Sequence, residues 1–326
     1  MRRRTLLLTA GPCALGGWQT LTQAAEAWPS KPITLIVPFP AGGPTDVLGR
    51  AAGRILQDRL KQTVVVENRP GAGGNIGTEQ IAKAAPDGYT LGVGVISSLS
   101  IAPQLLAKLP YHPRTSFTPI GMIGIAKGAI VAHPSAPFND LKGLIAYAKA
   151  HPKRLAFGSS GIGTSNHLAG EYLQSLAHIE LLHIPYKGTS QVAQDLLGGQ
   201  LPLSFETSLL TTAPAVKAGK LKAIAITAGT RSALLPDVPT VAEQGFAGFD
   251  VPSWFGLIAP AGLPRDIVVA LNRALVDGLK QPDVAERFAQ IGAEPTPGTP
   301  EQFAQTIADE NVRWGKVIRD ARITPE

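Results

Sequence analysis

The sequence predicts an α/β fold in two lobes, on three observations. Strand-like apolar runs alternate with helix-like ones along most of the 326 residues, which favours sheets that are mostly parallel and flanked by helices. The pattern of strand, glycine-rich corner and helix occurs twice, at VPFPAGGPTDVLGR (residues 37–50) and at FGSSGIGTSNH (residues 157–167). No low-complexity linker and no repeat of fixed period separates the halves, and a chain of this length favours two units.

The elements follow in order. Ile33–Val37 reads as a strand that stops at Pro38. Val47, Leu48, Ala51, Ala52, Ile55, Leu56 and Leu60 then repeat at helical spacing, with Arg50, Arg54, Asp58 and Arg59 on the opposite face. Val64-Val65-Val66 is a second strand, Ile76–Ala84 a helix and Thr90–Ile96 a third strand, completing βαβαβ. The second half opens with a strand over Leu155–Gly158, a glycine turn and a helix over His167–Leu176. Leu181–Ile184, Leu203–Glu206 and Leu221–Thr227 read as strands and Gln191–Leu197 as a helix. Ligands in such sheets bind beyond the carboxyl ends of the strands, and two lobes can turn those ends toward one cleft.

The N-terminus has the layout of a secretory signal peptide: Arg2-Arg3-Arg4, an apolar small-residue run, and Ala25-Glu26-Ala27 as an A-x-A processing site. Gly11-Pro12 and Gly16-Gly17 interrupt the run, which falls short of the roughly 20 residues that span a bilayer. Sec export is expected, with the twin-arginine route left open. The single cysteine, Cys13, lies in the segment to be removed, and Pro12 before it argues against lipid attachment. The mature chain therefore relies on an ordinary core rather than disulfides. Its formal charge falls from +6 to about +4 once three arginines and Glu26 are removed. That mild excess, without a basic run, excludes nucleic acid as an expected partner.

The two corners carry the chemistry. In PAGGPTD, Gly43 suits the N-cap and Pro44 the first helical position. Asp46 then falls where a carboxylate favours the helix dipole; the other reading is that it orients a water or accepts a ligand N–H. In GSSGIGTSNH, glycines 158, 161 and 163 free backbone amides, Ser159, Ser160, Thr164 and Ser165 add hydroxyls, and Thr164 or Ser165 caps the helix. Both corners offer neutral donors at a helix N-terminus, which suits an oxyanion. GSSGIGT lacks the Lys of a phosphate loop, the GxGxxG spacing and the second glycine of a nucleophile elbow. His167 and Glu171 stand one helical turn apart, but no further ligand spacing accompanies them, so no metal and no cofactor are expected.

A set of segments then carries a family resemblance: WPSKPITLIVPFPAGGPTD, ENRPGAGGNIG, APDGYTL, FGSSGIGTSNHLAGE, IPYKG, LPDVPTVAEQG and WFGLIAPAGLP. In that order, from about Trp28 to the C-terminus, they resemble the solute-binding receptors of tripartite tricarboxylate transporters, the Bug family. The resemblance implies a two-lobed periplasmic binding protein fold, type II-like. It also implies no catalysis, and a small carboxylate captured in the interlobe cleft and passed to a membrane permease. Implied boundaries are a signal peptide over 1–27, lobe one over 28–126 and 252–326, and lobe two over 127–251. The crossings fall near Ile125–Lys127 and Val251–Trp254, with Trp254 beside the hinge or in the core. C-terminal helices over Arg265–Lys280 and Pro300–Ile318 wrap back on lobe one, and the receptor is expected to be a monomer.

Carried onto this chain, the first loop supplies Phe39, Pro40, Ala41, Gly42, Gly43 and Asp46, and the second supplies Ser159, Ser160, Gly161, Gly163 and Thr164. His167 also matches a family position, or simply packs behind its loop. Asn75 and Ser97 lie at carboxyl ends of lobe-one elements, turn chemistry being the other account of Asn75. Tyr186 and Glu206 line the lobe-two side. Relatives often carry Asp where this chain has Glu206, and Pro40 removes one donor N–H. Two other functions stay open: an exported hydrolase or transferase using the second loop, with His167 as the nearby base, and a binder of inorganic oxyanion.

Overall fold

The computed structural model describes residues 28–325; the arginine run, Cys13 and the processing site lie outside them. Two mixed sheets, each flanked by helices, form the two lobes.

In lobe one, β1 (Ile33–Val37) leads through the first corner into α1 (Pro44–Leu60), β2 (Val64–Asn68), α2 (Asn75–Ala82) and β3 (Thr90–Val95). A π-helical turn over Ser97–Ile101 runs into the short α3 (Ala102–Leu105), and β4 (Phe117–Ala126) follows. The chain enters the second sheet at β5 (Ala129–Ala132), only two residues later. There α4 (Leu141–Ala150), β6 (Ala156–Ser159), α5 (Ser165–Ala177), β7 (Leu182–Pro185), α6 (Thr189–Leu197), β8 (Leu203–Phe205), α7 (Ala213–Lys217) and β9 (Lys222–Ile226) follow. It returns to the first sheet with β10 (Ser253–Pro260), then α8 (Arg265–Leu279), α9 (Pro282–Gln290), β11 (Ala293–Pro295) and α10 (Pro300–Asp320).

The strand orders are β11-β4-β10-β3-β1-β2 and β7-β6-β8-β5-β9. The two-lobed α/β prediction holds, but the expectation of mostly parallel sheets needs correction. Only β1 with β2 and β3, and β6 with β7 and β8, are parallel. The strands that pass between the sheets pair antiparallel: β10 with both β3 and β4, and β5 with both β8 and β9. The reason is the connection. β4 carries the chain out of the first sheet and β10 carries it back, so the returning strand runs opposite to the strands it lies between.

Alternation of buried residues sets the faces. Leu48, Ala52, Ile55 and Leu56 of α1 pack with Leu271 and Leu275 of α8 over Ile33, Leu35 and Val37. The opposite face of lobe one is covered by α10, whose Phe303, Ile307 and Trp314 join a core that continues into lobe two through Ile130, Phe157 and Phe205. Asn311 of α10 donates to the Leu99 carbonyl at 2.8 Å, tying this helix to the π-helical turn. Thr299 and Gln302 form a capping box at its start. Burial of these apolar side chains contributes about 25 cal/mol per Å². The α10 layer thereby holds Ser97 and the β3 end in place beside the cleft.

Candidate ligand-binding cleft

Three helices begin at one cavity. α1 starts after Gly43 with Pro44 and Thr45, α5 with Ser165, and α6 after Gly188 with Thr189 and Ser190; all of these residues line the cavity. No side chain caps any of the three helices, so first-turn amides and the positive ends of the helix dipoles face a common space. Ser97, Ser160, Thr207 and Ser253 add hydroxyls, and Phe39, Pro40, Val95, Trp254 and Phe255 add apolar walls. Among the described residues lining it there is no Asp, Glu, Lys, Arg or His. The space, mouth included, is about 450 Å³.

Close approach across the cleft depends on two glycines. A Cβ at Gly73, whose φ is +64°, would lie 2.7 Å from the Ile162 carbonyl oxygen of the other lobe. One at Gly188 would lie 2.9 Å from the Pro40 ring. Ser190 Oγ donates to the Ala41 carbonyl at 3.5 Å, and the Ser165 and Ser253 hydroxyls meet at 3.1 Å.

The sequence-predicted residues divide into groups. Phe39, Pro40, Gly43, Ser97 and Ser160 line this cavity. Asn75, Gly161 and Tyr186 line a second interlobe cavity of about 830 Å³, mouth included, which shares Ser160 with the first. Asn75 accepts from the Tyr111 hydroxyl at 2.6 Å, and Tyr186 donates to Asp195 at 2.8 Å. Burial and the Asp195 carboxylate push the Tyr186 hydroxyl up to about 12, so it stays a donor.

The remaining candidates brace the loops from behind. Asp46 is 4% exposed and takes the Gly42 N–H at 3.0 Å, the Arg50 Nε at 3.1 Å and the Asn68 Nδ2 at 2.9 Å. Burial opposes its ionisation, but these donors outweigh it and hold the carboxyl below its usual range. Asn68 also donates to the Phe39 carbonyl at 2.9 Å, so Asp46 and Asn68 together fix the first loop, with Ala41 and Gly42 on its rim. In the second loop Asn166 does the equivalent work without charge, accepting from Ser160 at 3.0 Å and Thr164 at 2.6 Å. Gly163 donates to His167 Nδ1 at 3.3 Å. His167 stacks on His183 at 4.2 Å, and burial first, then His183, lowers its pKa to about 3, so it is neutral. Its Nε2 is 4.0 Å from Glu171. Ser159, fully buried, meets His183 Nε2 at 2.6 Å. Glu206 is 3% exposed; Ser204 donates to one oxygen at 2.6 Å and the other has no partner. Burial raises its pKa to about 7, against the Ser204 hydrogen bond.

Residues 48–323 match the tripartite tricarboxylate transporter family receptor, TctC. The chain belongs to this family. The receptor is 40% identical to protein BugT of Bordetella pertussis (strain Tohama I) over 298 residues, 91% of each chain. Its fold superposes on periplasmic binding protein BugD with a TM-score of 0.86 at 38% identity, covering 92% of this chain and 100% of the other. An R. palustris protein solved with adipate gives a TM-score of 0.88 at 33% identity, covering 92% and 100%. The Bug-type receptor identity expected from the ordered motifs is thus shown. What sequence reading missed in the receptor's cleft is the α6 end, Thr207 and the start of β10 at Ser253, Trp254 and Phe255. The Gly188-Thr189-Ser190 triplet ahead of a legible helix was the available signal for the first.

Proposed function

We propose that the protein is a periplasmic receptor that captures a small carboxylate between its lobes and presents it to a membrane permease. The observation carrying this reading is the convergence of three uncapped helix N-termini on a cavity lined by no ionisable side chain. Each such end is worth about 0.3–1 kcal/mol to a nearby anion, and more where water is excluded. Neutral donors hold a carboxylate without burying an opposing fixed charge. The adipate seen in the R. palustris relative supports the same class of ligand. Closure over the solute, with Gly73 against Ile162 and Pro40 against Gly188, is a hinge motion, and the closed form is the one the permease meets.

A hydrolase reading has one observation in its favour, the Ser159–His183 pair at 2.6 Å. Ser159 is fully buried and lines neither interlobe cavity, so a substrate carbonyl has no path to its hydroxyl. A binding role fits better.

Thermal unfolding against a panel of carboxylates, phosphate and sulfate tests the proposal. At 100-fold excess over its dissociation constant a ligand adds ~2.7 kcal/mol, or roughly 5–10 °C. A shift with a carboxylate is expected. A shift with phosphate or sulfate alone, and none with any carboxylate, would overturn it in favour of inorganic oxyanion binding.

A further inference from the structure

A trough runs along α10 on lobe one and shares no residue with the helix-end cavity. It encloses about 1610 Å³, mouth included, where a small-molecule pocket takes about 300–1,000 Å³. Ala308, Val312, Gly315 and Arg319 follow one another at spacings of three and four, so they form one stripe of the helix. From Gln305 to Arg319 this floor is about 20 Å long, room for roughly four helical turns of a partner. The segment from Pro103 to Arg114 makes the opposing wall. No Asp or Glu lines the trough, and among the described residues neither Arg114 nor Arg319 has a carboxylate partner. The acids of the same stretch of α10 are engaged elsewhere: Glu310 by Arg313 and Trp314, Asp309 by Gln305, Asp320 by Lys316. Val312, midway along the stripe, is 74% exposed, more than any other large apolar side chain among the described residues.

We infer that this trough is the surface on which the permease docks, through an acidic amphipathic segment laid along α10. The apolar face of that segment covers Val312, Leu106 and Leu109, and its carboxylates pair with Arg114 and Arg319. This rests on the reading of the protein as a receptor that serves a membrane permease. Two contacts tie the trough to the solute. Asn311 lines it and donates to the Leu99 carbonyl of the π-helical turn, whose first residue, Ser97, lines the helix-end cavity. Leu106 lines both the trough and the second interlobe cavity, to which lobe two contributes Ile162, Tyr186 and Lys187. A segment seated in the trough thus ends at the seam between the lobes. Every trough residue belongs to lobe one, so the surface itself is present in either arrangement of the lobes, while the seam beside it differs between them.

The test measures binding of the exported receptor to its cognate permease in lipid nanodiscs, with empty nanodiscs of the same anionic lipids alongside. Three variants are compared with wild type: the double reversal Arg114→Glu with Arg319→Glu, Val312→Glu, and Val269→Glu at a 53% exposed apolar position on α8. Wild type should bind the permease nanodiscs, more weakly as salt rises. The double reversal should lose about tenfold or more, because like charges then face each other. Val312→Glu should lose several-fold, and Val269→Glu should stay within about twofold of wild type. All three should keep the wild-type thermal shifts with the carboxylate panel, which shows that they fold and bind solute. Trough variants that bind the permease as wild type does would overturn the docking surface and leave the receptor reading intact. Equal binding of wild type to empty nanodiscs would overturn it in favour of lipid headgroups. Failure of wild type to bind the permease at all would overturn the docking surface together with delivery. Normal docking with no carboxylate shift would uphold the surface and overturn solute capture alone.

Discussion

Two buried carboxyls, one in each lobe, face the same problem and meet it differently. Asp46 lies behind the first corner and Glu206 at the end of β8, both at most 4% exposed. Asp46 has three donors, one of them the Arg50 guanidinium, and stays ionised. Glu206 has one hydroxyl and an unpartnered oxygen, and its pKa rises to about 7. Burial alone therefore does not set the charge of a carboxyl; the number of donors supplied does. The lobe-one acid is a charged strut for a loop. The lobe-two acid is neutral over the lower half of the physiological range, beside the crossing where its backbone N–H bonds the Ala129 carbonyl at 2.8 Å.

The comparison can be broken most forcefully at Glu206. Below pH 4.5 its carboxyl is neutral in folded and unfolded chains alike. Between 4.5 and about 7 only the unfolded chain ionises, so stability falls as pH rises; above about 7 the full penalty stands. The gap amounts to about 3 kcal/mol. Glu206→Gln should therefore stabilise the protein by about that much at pH 8 and by less than about 1 kcal/mol at pH 5, measured by denaturant unfolding at both. A pH-independent difference would show that Glu206 does not titrate in this way. Asp46 should behave with the opposite sign. Its contribution is fully present above its unfolded value of 3.8 and is lost as pH falls through the lower folded value. Asp46→Asn should cost about 1–2 kcal/mol at pH 7, mainly through the hydrogen bonds. The Arg50 side chain is 51% exposed, so the ion pair itself adds little. In the same unfolding assay the cost should shrink as pH falls below 3.8. Asn68→Ala sharpens the point at the smallest scale. It leaves the Asp46 charge and removes the link to Phe39, so it should cost about 1 kcal/mol and weaken solute binding several-fold by calorimetry.

Much of this arrangement was legible in the sequence, for a physical reason. Helix spacing and strand runs reflect local backbone preferences, so α1 and the β1–β3 unit were read within a few residues, and the ordered motifs gave the family. The strands β4 and β10 escaped, because antiparallel pairing between segments more than 100 residues apart leaves no local trace. The glycine corners could be located, but which face of a loop meets the cleft could not. Asp46 turns inward to Gly42 and Asn68, and Ser159 turns inward to His183, while the neighbouring Ser160 lines both cavities. Period-two and period-3.6 rules do not apply inside a turn. The trough beside α10 was invisible for a different reason: it exists only once two distant segments pack side by side.

The position of β10 has a consequence for how the molecule is made. Every strand of the second sheet comes from one stretch, residues 129–226, whereas the first sheet joins residues 33–126 to residues 253–295. Until β10 emerges, β3 and β4 have no strand between them and each presents an open edge, a template for pairing with the wrong chain. Lobe two can finish as soon as its own residues are available, while lobe one waits for the last quarter of the polypeptide. A chain truncated before Ser253 would thus keep a complete second sheet beside an unfinished first one.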